Sequence, residues 1–333
     1  MLKFGVIGYG YWGPNIVRNL RNLEGCQVVG ICDKSPAARN RIQSAHPGVP
    51  LYTDARELVS SPEVDAVAVI TPVWTHYELA MVALQNGKHI FVEKPFTSNR
   101  AQAEELIDLA DRKNLKIMVD HTFLFTGAVR KICQLLDDGT LGKLYYYDST
   151  RVNLGLFQHD VNVIWDLAPH DLSIMDYIIK EEPEAIVAAG QSHLNGLEDI
   201  AFITAYFPNN VIAHVNVNWL SPVKVRTTLI GGEKKMLVWN DLEADEKLKI
   251  YDKGVNITSQ QGLYNLLVNY RSGDMWAPRI EQCEALQVEL QYFVNCIVND
   301  EKPFNDGIAG LRVVKMLEAT SESVSKRGAL VYL

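Results

Sequence analysis

The feature that most constrains this chain lies in its first 33 residues. Residues 4–8 read as a short apolar strand that runs straight into Gly8-Tyr9-Gly10-Tyr11-Trp12-Gly13. A helix-like segment follows, with Ile16, Val17, Leu20 and Leu23 at helical spacing, and then a second apolar run over 27–32 that ends in Asp33. The pattern is G-x-G-x-x-G inside a strand–turn–helix–strand unit, closed by an acid twenty residues past the last glycine. Gly8 permits the tight turn, Gly10 lets the backbone approach a pyrophosphate, and Gly13 lets helix and strand pack closely. The helix N-terminus offers free N–H groups and the positive end of its dipole to phosphates. Glycines alone often mark nothing but a turn; the flanking strands, helix and acid predict a dinucleotide site.

A carboxylate at the end of the second strand can accept hydrogen bonds from both adenosine-ribose hydroxyls and repels a 2′-phosphate. Asp33 therefore favours NAD over NADP, a preference that the neighbouring Lys34 softens. Asp33 or Ser35 also suits the N-cap of the helix that starts near Pro36.

At 333 residues the chain has room for two domains with full cores. Its 47% hydrophobic and 22% charged residues are ordinary for a globular protein, and no apolar run reaches the ~20 residues of a membrane span. Strand signals begin at once, so no signal peptide is expected ahead of the fold and a cytoplasmic location is expected. Cys26, Cys32, Cys133, Cys283 and Cys296 are scattered, with no C-x-x-C pair. That pattern fits reduced thiols, with neither a disulfide frame nor a metal site. A net charge of −8 without a basic run argues against nucleic acid or an anionic membrane as partner.

Up to about residue 120, strand and helix signals alternate. Helices are predicted over 36–45, 55–60, 75–86 and 100–113, and strands over 66–70, 89–92 and 116–120. The run Ala66-Val67-Ala68-Val69-Ile70 is apolar on both faces, as in a buried parallel strand. After a helix at 127–138 the pattern changes to long alternating strands over 144–152, 186–191, 201–207, 211–219 and 223–230. His214-Val215-Asn216-Val217-Asn218-Trp219 marks a sheet with two unlike faces. Helices over 282–298 and 307–323 follow. The predicted fold is α/β. An N-terminal Rossmann domain with a doubly wound parallel sheet binds NAD over 1–122. A C-terminal α+β domain with a large, mostly antiparallel sheet serves substrate binding and oligomerisation over 123–333.

Two motifs beyond the glycine loop carry candidate chemistry. Glu93-Lys94-Pro95 ends a predicted parallel strand, the edge at which doubly wound sheets bind ligands. A lysine there can stabilise an alkoxide as its proton leaves, although a surface lysine before a helix-starting proline reads the same. A cis Lys-Pro bond is one way to fix its direction. In Trp165-Asp166-Leu167-Ala168-Pro169-His170-Asp171, Asp166 and His170 share a helical face, and the carboxylate raises and orients the imidazole's basicity. That suits a general base near pH 7, although helix capping by Asp166 or Asp171 is an ordinary use of such residues. Arg151 with Asn153, and Lys224 with Arg226, lie two apart on strand faces. Both pairs can reach substrate oxygens, or a diphosphate in the second case, though a solvated or interface face is the reading favoured for them.

Together these residues resemble the Gfo/Idh/MocA family, over essentially the whole chain. The carriers are Gly8–Gly13 with Asp33, Thr71-Pro72 with His76 and Ala80, Glu93-Lys94-Pro95, and Asp166 with His170. The resemblance implies Lys94, Asp166 and His170 as the catalytic set. It also implies that Thr71, Pro72 and His76 line the cofactor, and that a homo-oligomer, dimer or tetramer, forms through the open face of the second sheet. The candidate cofactor set is Gly8, Gly10, Tyr11, Trp12, Gly13, Asp33, Lys34, Thr71, Pro72, Trp74, His76, Glu93, Lys94 and Trp165. The candidate substrate set is Lys94, Arg151, Asn153, Asp166 and His170. Many members carry a glycine-rich run before D-x-x-x-H; here residues 158–165 do not. The phrases over 163–173 and 218–226 resemble a branch tied to bacterial surface polysaccharides. That branch is similar to nucleotide-sugar 3-dehydrogenases that oxidise C3 of UDP-N-acetylglucosamine or its uronic acid. The implied activity is NAD-dependent oxidation of such a sugar. Inositol or a free hexose is the alternative substrate. A non-catalytic dinucleotide-binding regulator is the alternative class, but it has no need of the lysine and histidine present here.

Overall fold

The computed structural model describes residues 1–155, 157–158, 160–256 and 269–333. The chain forms two compact units, Met1–Phe125 with Cys283–Glu318, and Thr126–Gln282 with Ala319–Leu333.

In the first unit, β1 (Leu2–Ile7), β2 (Cys26–Cys32), β3 (Leu51–Tyr52), β4 (Ala66–Val69), β5 (His89–Glu93) and β6 (Ile117–Asp120) form one sheet in the order β3-β2-β1-β4-β5-β6. Every pairing is parallel. The crossovers are α1 (Gly13–Asn22), α2 (Pro36–Ala45), α3 (Ala55–Ser60), α4 (His76–Gln85) and α5 (Arg100–Lys113). All four residues of β4 are buried, which is why its sequence does not alternate. The chain departs to opposite sides of β1, through β2 and through β4, so the switch point lies between β1 and β4. β3 is too short to leave a periodic signal.

Residues 283–318, read from sequence as part of the second domain, pack with the first unit. In the helix at Ala285–Val298, Phe293 sets its ring 6.2 Å from Phe4 and 6.0 Å from Phe91. An amphipathic pattern says that a helix covers something; it does not say which sheet.

The second unit opens with α6 (Gly127–Asp137), β7 (Leu144–Leu154) and α7 (Val163–Ile179). The strands β8 (Ala185–Gln191), β9 (Ile200–Tyr206), β10 (Ile212–Asn218), β11 (Leu220–Gly232), β12 (Met236–Asn240), β13 (Leu248–Asn256), β14 (Asn269–Trp276) and β15 (Val331–Tyr332) follow. The sheet order is β14-β13-β12-β11-β7-β10-β9-β8-β15. Its β7–β10 pair is parallel and its other pairs are antiparallel. The two faces differ as the alternation predicts: Ala201, Ile203, Ala205, Ala213, Val215 and Val217 are buried toward α7, whereas Phe202, Tyr206 and Ile212 are exposed. The helix at Ala285–Val298 is α8, and α9 spans Gly307–Ser325. Among the described residues, no helix is long and apolar enough to cross a membrane.

Candidate active site

The glycine loop has the shape its sequence demands. Gly8 sits at φ +102°, and a Cβ there would lie 2.1 Å from the Ile70 carbonyl oxygen. A Cβ on Gly13 would lie 2.4 Å from the Gly8 carbonyl oxygen, so α1 approaches the end of β1 only because that atom is missing. Nothing lies within 4 Å of the Cβ position at Gly10, which leaves space for a ligand beside the backbone.

Tyr9 holds this loop in place. Its N–H donates to Asp33 Oδ2 at 2.7 Å, its carbonyl accepts from Arg41 Nη2 at 2.9 Å, and its hydroxyl meets His46 Nε2 at 2.9 Å. Asp33 Oδ1 accepts the Ser35 N–H at 2.8 Å, while Ser35 itself caps α2. Each carboxylate oxygen keeps a second lone pair, so Asp33 retains acceptors for ribose hydroxyls.

A cleft of ≈ 290 Å³ opens at the switch point, lined by Gly8, Gly10, Asp33, Lys34, Thr71 and Pro72. Ile7, Cys32, Ala55, Ile70, Thr75, Glu78 and Leu79 complete its wall, and none of them carries a sequence motif. Burial, with Asp33 adjacent, pushes the Cys32 thiol up to about 11, so the wall stays neutral there. The missing Cβ atoms, the open backbone at Gly10 and the Asp33 acceptors all fit a dinucleotide.

The other members of the candidate cofactor set behave differently. Tyr11 and Trp74 are exposed. Trp12 donates its indole N–H to Asp120 Oδ2 at 3.1 Å. His76 is fully buried, with Nδ1 2.9 Å from the Pro95 carbonyl oxygen and Nε2 2.6 Å from that of Thr71. Burial holds its pKa below the usual imidazole value. His76 thus reaches the cleft through the Thr71 backbone. Glu93 ends β5, beside Asp120 across the β5–β6 pair, and Lys94 follows it. The Lys94–Pro95 peptide is cis.

In the second unit, the Asn162 side chain caps α7 by accepting the Trp165 N–H at 3.0 Å. Asp166 and His170 are half-buried and lie one turn apart on the same face of α7. Pro169 lies between them and donates no N–H to the Trp165 carbonyl. The Trp165 indole donates to Ser321 Oγ at 3.0 Å.

Arg151, expected to face substrate, is instead a core residue. Its Nε donates to Asp171 Oδ2 at 2.5 Å and its Nη2 to Oδ1 at 3.3 Å, and Ser149 Oγ donates to the same Oδ1 at 2.6 Å. The reason is the pleat of β7: Tyr147, Ser149 and Arg151 share the face that α7 covers, and all are buried. Asn153 is half-buried near the end of that strand. Lys224 is exposed, and Arg226 pairs with Asp241 at 3.5 Å.

A buried polar group that no motif announces lies in the first unit. Asp120, His121, Glu289 and Asn305 are all nearly or fully buried. Asn305 Nδ2 donates to the Val119 carbonyl at 2.9 Å and to Glu289 Oε1 at 3.2 Å. Thr122 Oγ1 donates to Asp120 Oδ1.

Comparison with known proteins adds three findings. Residues 2–121 match the family described as "Oxidoreductase family, NAD-binding Rossmann fold", and residues 129–238 match the "GFO/IDH/MocA C-terminal domain". The chain is 27% identical to the UDP-N-acetylglucosamine 3-dehydrogenase of Acidithiobacillus ferrooxidans, over 94% of each chain, and a crystal structure of that enzyme superimposes with a TM-score of 0.80 at 26% identity, over 98% of each chain. It is 22% identical to the myo-inositol 2-dehydrogenase of Thermotoga maritima, over 98% of this chain and 97% of that protein.

Proposed function

This chain belongs to the Gfo/Idh/MocA oxidoreductases and takes NAD as its cofactor, and we propose that it oxidises a sugar hydroxyl, most specifically C3 of a UDP-N-acetylglucosamine-type nucleotide sugar. The reading carries with it a place in the supply of surface-polysaccharide precursors. What carries it is the presence of Lys94 after β5 and of Asp166 with His170 on α7, in a chain similar along its whole length to a UDP-N-acetylglucosamine 3-dehydrogenase.

Bound NAD supplies the hydride acceptor. The Gly8–Gly13 loop holds the pyrophosphate, and Asp33 accepts from the adenosine ribose. His170 removes the proton from the sugar hydroxyl, and Asp166 orients its imidazole and raises its basicity. The Lys94 ammonium stabilises the alkoxide as that proton leaves. The sum is a secondary alcohol and NAD⁺ converted to a ketone, NADH and one proton.

The exposed Phe202, Tyr206 and Ile212, with the Phe202 ring stacked on His214 at 6.5 Å, support a homo-oligomer in which a second copy covers this sheet face. The likeness to a myo-inositol dehydrogenase supports a second reading, with a cyclitol or free hexose as substrate. The test is NADH formation with UDP-N-acetylglucosamine, its uronate, myo-inositol and glucose. Turnover confined to the nucleotide sugars is expected. Turnover confined to inositol or glucose would replace this reading with the second.

A further inference from the structure

Glu289 is carried by α8 into the core of the first unit, where it has no solvent exposure. Its Oε1 accepts from Asn305 Nδ2 at 3.2 Å, and its carboxyl group lies within the field of Asp120. Adjacent negative charges away from water repel strongly, which disfavours the ionised form of Glu289. Burial first, then Asp120, and then Glu93 from β5 push the Glu289 carboxyl well above its ordinary range. His121, within the field of Asp120 and Lys94, is pulled down to about 4 by burial and is therefore neutral.

Asp120 has a specific use. Its Oδ2 accepts the Trp12 indole N–H at 3.1 Å, and its Oδ1 accepts the Thr122 hydroxyl. Trp12 immediately precedes Gly13 in the glycine loop and stands at the N-cap of α1, where its own side chain makes no capping bond. Gly10 has no side chain with which to steady that loop. The indole instead ties the loop to the end of β6, a strand at the edge of the sheet.

We propose that Asp120 is a positioning residue for the dinucleotide: through the Trp12 indole it fixes the pyrophosphate-binding loop. The inference concerns NAD binding alone and does not depend on which sugar is oxidised.

The test is the NADH dissociation constant of D120A, D120N, W12F, W12F/D120A and E289Q, read by nucleotide fluorescence on the folded fraction. D120A and W12F are each expected to weaken NADH about tenfold, the loss of one hydrogen bond. The double variant should be no weaker than either single, because both break one link. D120N and E289Q each keep an acceptor oxygen, so both should stay within about twofold of wild type. A merely structural role for Asp120 would lower the melting temperature and leave the dissociation constant alone. Wild-type affinity in D120A, or additive losses in the double variant, would overturn the proposal. If D120A does not fold, W12F decides: about tenfold weakening supports the link and wild-type affinity overturns it.

Discussion

In the parallel sheet of the first unit, β1, β2, β4, β5 and β6 all end at one edge, and the residues that follow them gather there. Gly8, Asp33, Thr71, Lys94 and Asp120 each stand at or just past a strand end. In the mixed sheet of the second unit, strands end at both edges, and the candidate chemistry rides on α7, laid across one face. The first arrangement works through backbone: missing Cβ atoms, open space beside Gly10 and one carboxylate. The second works through side chains, because a helix on a sheet is located by what it buries. Beside His170, the buried Arg151–Asp171–Ser149 group does that locating. A backbone site tolerates almost any side chain that does not intrude; a side-chain site fails when one partner is removed.

Asp171→Ala tests the side-chain half and should have the largest effect on stability. Removing one partner of a buried pair takes from Arg151 the carboxylate that it pairs with away from water, at a cost of roughly 3–5 kcal/mol. Denaturant titration measures this, and NADH affinity of the folded protein should be unchanged. A loss below about 1 kcal/mol, the scale of an exposed pair, would mean that the ion pair does not locate α7.

Gly8→Ala tests the backbone half. The added methyl meets the Ile70 carbonyl at 2.1 Å in a left-handed backbone. The expected cost is roughly 1–3 kcal/mol, together with loss of NADH binding in the protein that still folds. Unchanged NADH affinity in this variant would break the claim that the loop's backbone makes the site.

The same contrast explains what could be read from sequence. The glycine loop and Asp33 are local: their spacing is their mechanism, and the residues stand where the pattern puts them. Asp166 and His170 share a face because i and i+4 always do on a helix. Arg151 could not be read, since its partner depends on which face of β7 meets α7, and a polar residue in an alternating strand looks solvent-facing. Glu289 lies in a helix rich in Glu, Gln and Leu and reads as surface, yet it is fully buried beside Asp120. Residues 283–318 return to the first unit for a reason that only packing supplies. The short β3, β12 and β15 are held by their neighbours in the sheet, with little periodic signal of their own. Cys32, Glu78 and Leu79 line the cleft by position alone.

The central claim is that Lys94 and His170 serve one hydride transfer to NAD. Single-turnover NADH formation with UDP-N-acetylglucosamine, followed by stopped flow in wild type, K94M and H170N, tests it most directly. The account predicts that H170N binds NADH with wild-type affinity and that each variant, at saturating NAD, transfers hydride at least about 100-fold more slowly. A near-wild-type rate in either variant, in protein that turns over this sugar, would contradict it.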